Sequence, residues 1–166
     1  MKIIGVDPGS RRIGIGIIER RGSSLYLLKA DLLPIQSTND ADALLETKEG
    51  LMSLLKEFTP DIFAIEKLYF SNNQKTAFQV AQSRGVLIMC ASEFGLPVYE
   101  YSPNEVKLGI AGYGMADKKA VAKMVRLTLK IDTLHVVDDV TDALAIAIVA
   151  AGKALLEKNP HSGRLK

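Results

Sequence analysis

The chain opens on a short apolar run, Lys2 to Val6, which ends at Asp7 and breaks at once into Pro8-Gly9-Ser10, a turn signal. Ile13, Ile15 and Ile17 then alternate with Gly14 and Gly16, the two-residue period of a strand. Glycines along one face of a strand leave room for a close approach by another backbone or a ligand. Leu25 to Leu33 predicts a third strand, followed by a polar stretch from Gln36 to Asp40. From about Ala41 to Phe58, Leu44, Leu45, Leu51, Leu54 and Leu55 recur at helical spacing, and Pro60 stops the helix. Asp61 to Glu66 is another apolar strand that closes on a carboxylate. After a polar loop, Gln74 to Phe94 predicts a long helix ended by Gly95, Leu96 to Tyr101 a strand, and Pro103 to Gly109 a short helix. Ala116 to Lys130 and Asp139 to Glu157 complete the chain with two more helices. Strands first, then strands alternating with helices, imply an α/β layer fold around a mixed sheet. At 166 residues one domain is expected, over 1–157, with a polar, mobile tail at 158–166.

Composition narrows the chemistry. Apolar residues at 48% and charged residues at 24% are ordinary for a globular chain and exclude a disordered one. The 21 Lys and Arg nearly balance the 19 Asp and Glu, so any polyanion site must be built by local clustering. Cys90, the single cysteine, excludes an internal disulfide and a thiolate zinc site. With His135 and His161 as the two histidines, a His-rich metal site or a Ser-His pair is not expected either. No secretory leader and no apolar run of membrane-spanning length is visible, so a soluble cytoplasmic protein with no membrane partner is expected.

Carboxylates carry the candidate chemistry. Asp7 and Glu66 each end an apolar strand, and sites in open α/β sheets lie beyond the carboxyl ends of the strands. Asp139 and Asp142, three apart at the start of a helix, project from one face, and the small apolar run ALAIAIVAA that follows presses that helix onto the sheet. Four acids gathered against an apolar layer repel one another and lose hydration, a cost that a hard divalent cation cancels. Magnesium or manganese suits such oxygen donors, and two ions can activate a water and stabilise the leaving oxygen of a phosphodiester. Each acid also has a plainer reading. Asp7 with Pro8-Gly9 forms a turn, and Asp138, Asp139 and Asp142 cap a helix and complement its dipole. It is the combination that favours a metal site.

Lys119, Lys123, Arg126 and Lys130 fall at i, i+4, i+7 and i+11, a basic stripe opposite Val121, Met124 and Val125. Such a stripe neutralises phosphates or is simply a solvated helix face. Tyr69 and Phe70, beside Ser71-Asn72-Asn73-Gln74-Lys75, suit stacking on unpaired bases or a place in the core. The helix from Gln74 carries apolar residues broadly enough to suggest burial on more than one side, within one chain or between two.

GVDPGSRRIGIGII resembles the opening motif of the crossover junction endodeoxyribonuclease RuvC family, FAIEKLYF its second acidic strand, AQSRGVLI its central helix and DDVTDALAIAI its closing acidic helix. The resemblance runs from Met1 to about Ala151. It implies an RNase H-like fold, a central mixed five-stranded sheet flanked by helices, in a homodimer. It further implies resolution of four-way Holliday junctions in recombination and DNA repair, by paired symmetric incisions leaving 5′-phosphate and 3′-hydroxyl ends. Mg²⁺ would be the cofactor, two ions per site with Mn²⁺ as substitute, and the RuvA–RuvB branch-migration complex the partner. Position by position, the resemblance assigns Asp7 as the first catalytic acid and Glu66 as the second. Asp139 and Asp142 match the last motif, with Asp138 one residue upstream as a cap or supporting group. Lys107 and Lys118 fall where the family places basic residues near the active site and DNA, with Lys119 and Arg11 as further DNA contacts. Tyr69 aligns with the family's aromatic near the crossover, with Phe70 as a substitute. Two other readings stand beside this one: a related RNase H-like nuclease of the YqgF type acting on RNA, and a junction-binding dimer without catalysis.

Overall fold

The alternation of isoleucine with glycine is realised as an antiparallel meander. β1 (Lys2–Asp7), β2 (Arg12–Arg21) and β3 (Ser24–Pro34) pair in sequence, with Asp7 opposite Gly14 and Gly5 opposite Gly16. There follow α1 (Asp40–Phe58), β4 (Ile62–Glu66), α2 (Gln74–Glu93), β5 (Val98–Tyr101), α3 (Pro103–Ala111), α4 (Lys118–Leu129) and α5 (Asp138–Lys158). The sheet order is β3-β2-β1-β4-β5, with β4 parallel to β1 and β5 parallel to β4. This computed structural model describes residues 1–68, 74–132 and 136–158, the side chains of 74–76 and 155–158 excepted. Tyr69, Phe70, Ser71-Asn72-Asn73, His135 and the tail from residue 159 lie outside the described residues.

The expected elements are all present, and local chemistry sets their ends. Asn39 caps α1, accepting from the amides of Ala41 and Asp42, and Thr59 ends it in the left-handed region at φ 45°. A capping box of Ser102 and Glu105, with Pro103 next to the cap, starts α3. α4 begins at Lys118, two residues later than the apolar pattern suggests, because Asp117 accepts from the Ala120 amide at 2.7 Å and fixes the first turn there. β5 begins only at Val98, after Pro97, which has no amide to donate but accepts from the Phe63 amide at 3.1 Å.

Each face of the sheet carries a core. Ile4, Val6, Ile13, Ile15, Ile17, Phe63 and Ile65 meet α1 and α2 on one side. Ile3, Ile18 and Ala64 meet α3, α4 and α5 on the other. Residues Ala143 to Ala147 of α5 are wholly buried, and a fully buried Leu or Ile such as Leu144 or Ile146 contributes roughly 1.5–3 kcal/mol. This helix lies almost on the backbone of β1 and β2. A Cβ at Gly14 would collide with the carbonyl of Asp139, and one at Gly5 with that of Ala143. The glycine face of the meander is therefore the seat of α5, and it brings the first turn of α5 over the end of β1.

Candidate active site

Parallel pairing of β1 with β4 sets Val6 beside Ile65, so the next residues, Asp7 and Glu66, leave neighbouring strands at the same edge. Strands in a sheet are spaced by about 4.8 Å. The seated first turn of α5 delivers Asp139 and Asp142 to that edge. Glu66 and Asp142, together with Lys107, Lys118, Pro103, Val106 and Val121, line a cavity of about 200 Å³.

The acids act on one another. Burial, reinforced by the charges of Glu66, Asp142 and Asp139 and opposed by Lys118, pushes the Asp7 carboxyl up to about 8. Burial also raises Glu66 to about 7, with Asp142 adding and Lys107 opposing. Asp142 is raised as well, chiefly by burial, with Lys118 pulling against it. Asp139 is partly exposed, and its Oδ2 accepts from Nε and Nη2 of Arg12 at 3.0 and 2.8 Å. Asp138 is more exposed and pairs with Lys118 at 3.0 Å, though its charge also helps to raise Asp142.

This donor set fits a hard divalent cation: carboxylates alone, partly dehydrated, each disfavouring ionisation of its neighbours. Among the described residues no three such side chains are drawn together as tightly as in a closed metal cage. Glu66 and Asp142 share the cavity wall, and their charges, with that of Asp139, act on Asp7.

Two arginines shape the site in ways that the sequence pattern did not assign. Arg12 holds Asp139, and only strand pairing and the seating of α5 bring residues so far apart in the chain together. Arg84 of α2 donates from Nε to the Glu66 carbonyl at 3.0 Å and ion-pairs with Glu100, bracing the end of β4. It sits in AQSRGVLI, so its motif was visible but its task was not.

The basic residues separate into groups. Lys107 and Lys118 line the acidic cavity. Lys119 lies with Lys123 and Arg126 along a neighbouring hollow of about 320 Å³ between α4 and the start of α5. Lys130 departs from that stripe, because it ends α4 in the left-handed region and turns to a different groove. Arg11 is already engaged within the fold: its guanidinium donates to the carbonyls of Ser10, Ser37 and Thr38 and pairs with Asp40 at 2.7 Å.

A mixed sheet of this order, with acids at the ends of β1 and β4 and two more on a closing helix, defines an RNase H-like nuclease fold. The profile of the crossover junction endodeoxyribonuclease RuvC family matches residues 3–150. The chain belongs to that family. The crossover junction endodeoxyribonuclease RuvC of Chloroflexus aggregans is 42% identical over 152 residues, covering 91% of this chain and 93% of its own. That of Brevibacillus brevis is 42% identical over 154 residues, covering 91% and 92%. Thermus thermophilus RuvC in complex with a Holliday junction substrate superposes with a TM-score of 0.88 at 31% identity, over 95% of this chain and 96% of that one. Among the described residues no helix is long and apolar enough to cross a membrane.

Proposed function

We propose that this endonuclease resolves four-way DNA junctions with Asp7, Glu66, Asp139 and Asp142 as its catalytic, Mg²⁺-binding acids. The observation that carries the assignment is geometric: the paired ends of β1 and β4 and the close seat of α5 bury Asp7 among the charges of the other three acids, which raise its carboxyl. Such a group gains most from a cation, and Mn²⁺ would satisfy the same oxygen donors. When bound there, divalent ions supply the charge that activates an attacking water and offsets the leaving 3′ oxygen, leaving a 5′-phosphate.

The chain's own residues do the rest. Asp7 and Glu66 are set by the ends of paired strands, and Asp142 by the glycine seat of α5, so their backbones are in place before any ion binds. Arg84 holds the backbone of Glu66 in place. Lys107 and Lys118 lie at the cavity wall, where a scissile phosphate adds charge, and Lys119 with Lys123 and Arg126 extends the cationic surface toward a DNA arm. Arg11 enters this reading as a brace for the turn after Asp7. Tyr69 and Phe70 come three and four residues after Glu66, and either ring would serve to stack at the crossover.

Two cuts need two sites. Phe78, Gln82, Gly85 and Met89 form the exposed stripe of α2, with Phe78 66% and Met89 44% exposed. An apolar stripe opposite a buried one suits a twofold contact with a second copy. In this reading the homodimer works in the cytoplasm with the RuvA–RuvB complex. The test compares a mobile four-way junction with linear duplex and structured RNA, in Mg²⁺ and in chelator, mapping every product end. Symmetric, metal-dependent nicks confined to the junction support the proposal. Cleavage of RNA in preference, or junction binding with no cut across a pool of sequences, overturns it.

A further inference from the structure

A second groove, lined by described residues, lies away from the acids. Gly152 and Lys153 of α5 stand ten and eleven residues beyond Asp142, about 15 Å down the helix at 1.5 Å per residue. There the end of the β2–β3 hairpin, the ends of α3 and α4 and the flank of α5 enclose about 720 Å³. Leu25, Ile148 and Val149 contribute an apolar floor.

Three independent features single this groove out. Its lining includes Arg20, Lys130 and Lys153 and no acid. Among the described residues the Arg20 guanidinium donates to two carbonyls, Gly22 at 3.0 Å and Ala151 at 2.6 Å, and to no carboxylate. Lys130 lines the groove with no ion pair among the described residues, while the Lys153 amine rests 5.5 Å from the centre of the Tyr101 ring and its charge also reaches Glu105. Second, Lys130 ends α4 at φ 54°, a backbone conformation that favours Gly or Asn, so a cation stands where the local backbone does not ask for one. Third, Gly152 lies inside a helix, where glycine weakens it relative to alanine, although a Cβ there would meet nothing within 4 Å. No neighbour among the described residues demands the missing side chain, whereas a ligand backbone lying on α5 would.

We propose that this groove docks an acidic, amphipathic segment of a partner protein, independently of DNA at the acidic edge. Arg20 and Lys130, which meet no carboxylate among the described residues, call for one from a partner, and the apolar floor calls for one or two aliphatic or aromatic anchors. A phosphate backbone would leave that floor unused. The chain's own last residues, Asn159 to Lys166, carry Arg164 and Lys166 and no acid, so their charge does not match.

The experiment selects a random sixteen-residue phage-displayed peptide library on the full-length chain, with counter-selection on Gly152→Glu. The expected winners combine Asp or Glu with Leu, Ile or Phe. The best of them, labelled with fluorescein, should bind Gly152→Glu at least tenfold more weakly than the parent. Lys130→Asn, which suits the left-handed backbone and removes the charge, should weaken it at least threefold. Both variants should keep the parent's melting temperature within a few degrees and its junction cleavage. The peptide should stay bound when a four-way junction is added. Absence of enrichment over the counter-selecting variant, winners without acids or without apolar anchors, or displacement of the peptide by duplex DNA would each overturn the proposal. None of those results bears on the acidic site, which the cleavage readout follows separately.

Discussion

The guanidinium of Arg12 closes on Oδ2 of Asp139, with Nε at 3.0 Å and Nη2 at 2.8 Å. A cation of the chain thus occupies the acid that the catalytic ions would need. The pair is open to solvent, Arg12 being 62% exposed, and exposed pairs contribute only about 0–1 kcal/mol. Arg12→Ala should therefore tighten divalent-ion binding by no more than about fivefold, as read by calorimetric titration with Mn²⁺. Weaker binding in the variant would show that Arg12 orients Asp139 for the ion instead of competing with it.

The raised acids set the pH dependence of the metal-free protein. Asp7 and Glu66 hold protons more tightly when folded, near 8 and 7, than their ordinary values of 3.8 and 4.5. The native state then binds more protons than the unfolded one over that window, so stability falls as pH rises from about 4 to 8. In chelator, the melting temperature should decline across this range. Asp7→Asn should flatten the decline and stabilise the metal-free protein at pH 8 by roughly 1–3 kcal/mol, since one pKa unit corresponds to about 1.4 kcal/mol. A melting temperature that rises toward pH 8 without metal would refute the electrostatic account.

The seat of α5 makes a steric prediction. Gly14→Ala places a methyl against the Asp139 carbonyl, backbone that cannot swing aside. The variant should lose about 1–3 kcal/mol or more in urea unfolding, and cleavage should fall because Asp139 and Asp142 lift from Asp7. Gly152→Ala, in open space on the same helix, should instead gain up to about 1 kcal/mol. Equal effects of the two would mean that the close approach is not what positions the acids.

On α2 the expectation concerns assembly. Phe78→Glu combined with Met89→Glu should convert the protein to a monomer in sedimentation while its melting temperature moves little, because both side chains are exposed in the single chain. A monomeric parent, with or without junction DNA, would contradict the paired-cut arrangement.

Most of this site was legible in the sequence because its parts obey local rules. Asp7 and Glu66 each close a run whose alternation or apolarity marks a strand, and DALAIAIVAA marks a helix too apolar to sit anywhere but on a sheet. The glycines of β2 announced a close neighbour without naming it, and that neighbour is α5. Contacts between distant segments were not legible. Arg11 and Arg12 are adjacent and alike in sequence, yet one braces the start of α1 through Asp40 and the other reaches Asp139. Lys130 fits the spacing of the α4 stripe, but the left-handed turn at the helix end, a tertiary adjustment, takes it elsewhere.

The central claim is that the four carboxylates form the metal-holding catalytic centre of a junction nuclease, and Asp7→Asn tests it most directly. Junction affinity and single-turnover cleavage should be measured side by side in Mg²⁺. The account predicts junction binding within about threefold of the parent, since Lys107, Lys118 and Lys119 are untouched, and a loss of cutting of at least about a thousandfold, on the scale seen when charge stabilisation at a reacting centre is removed. Cleavage at the parent rate would contradict it.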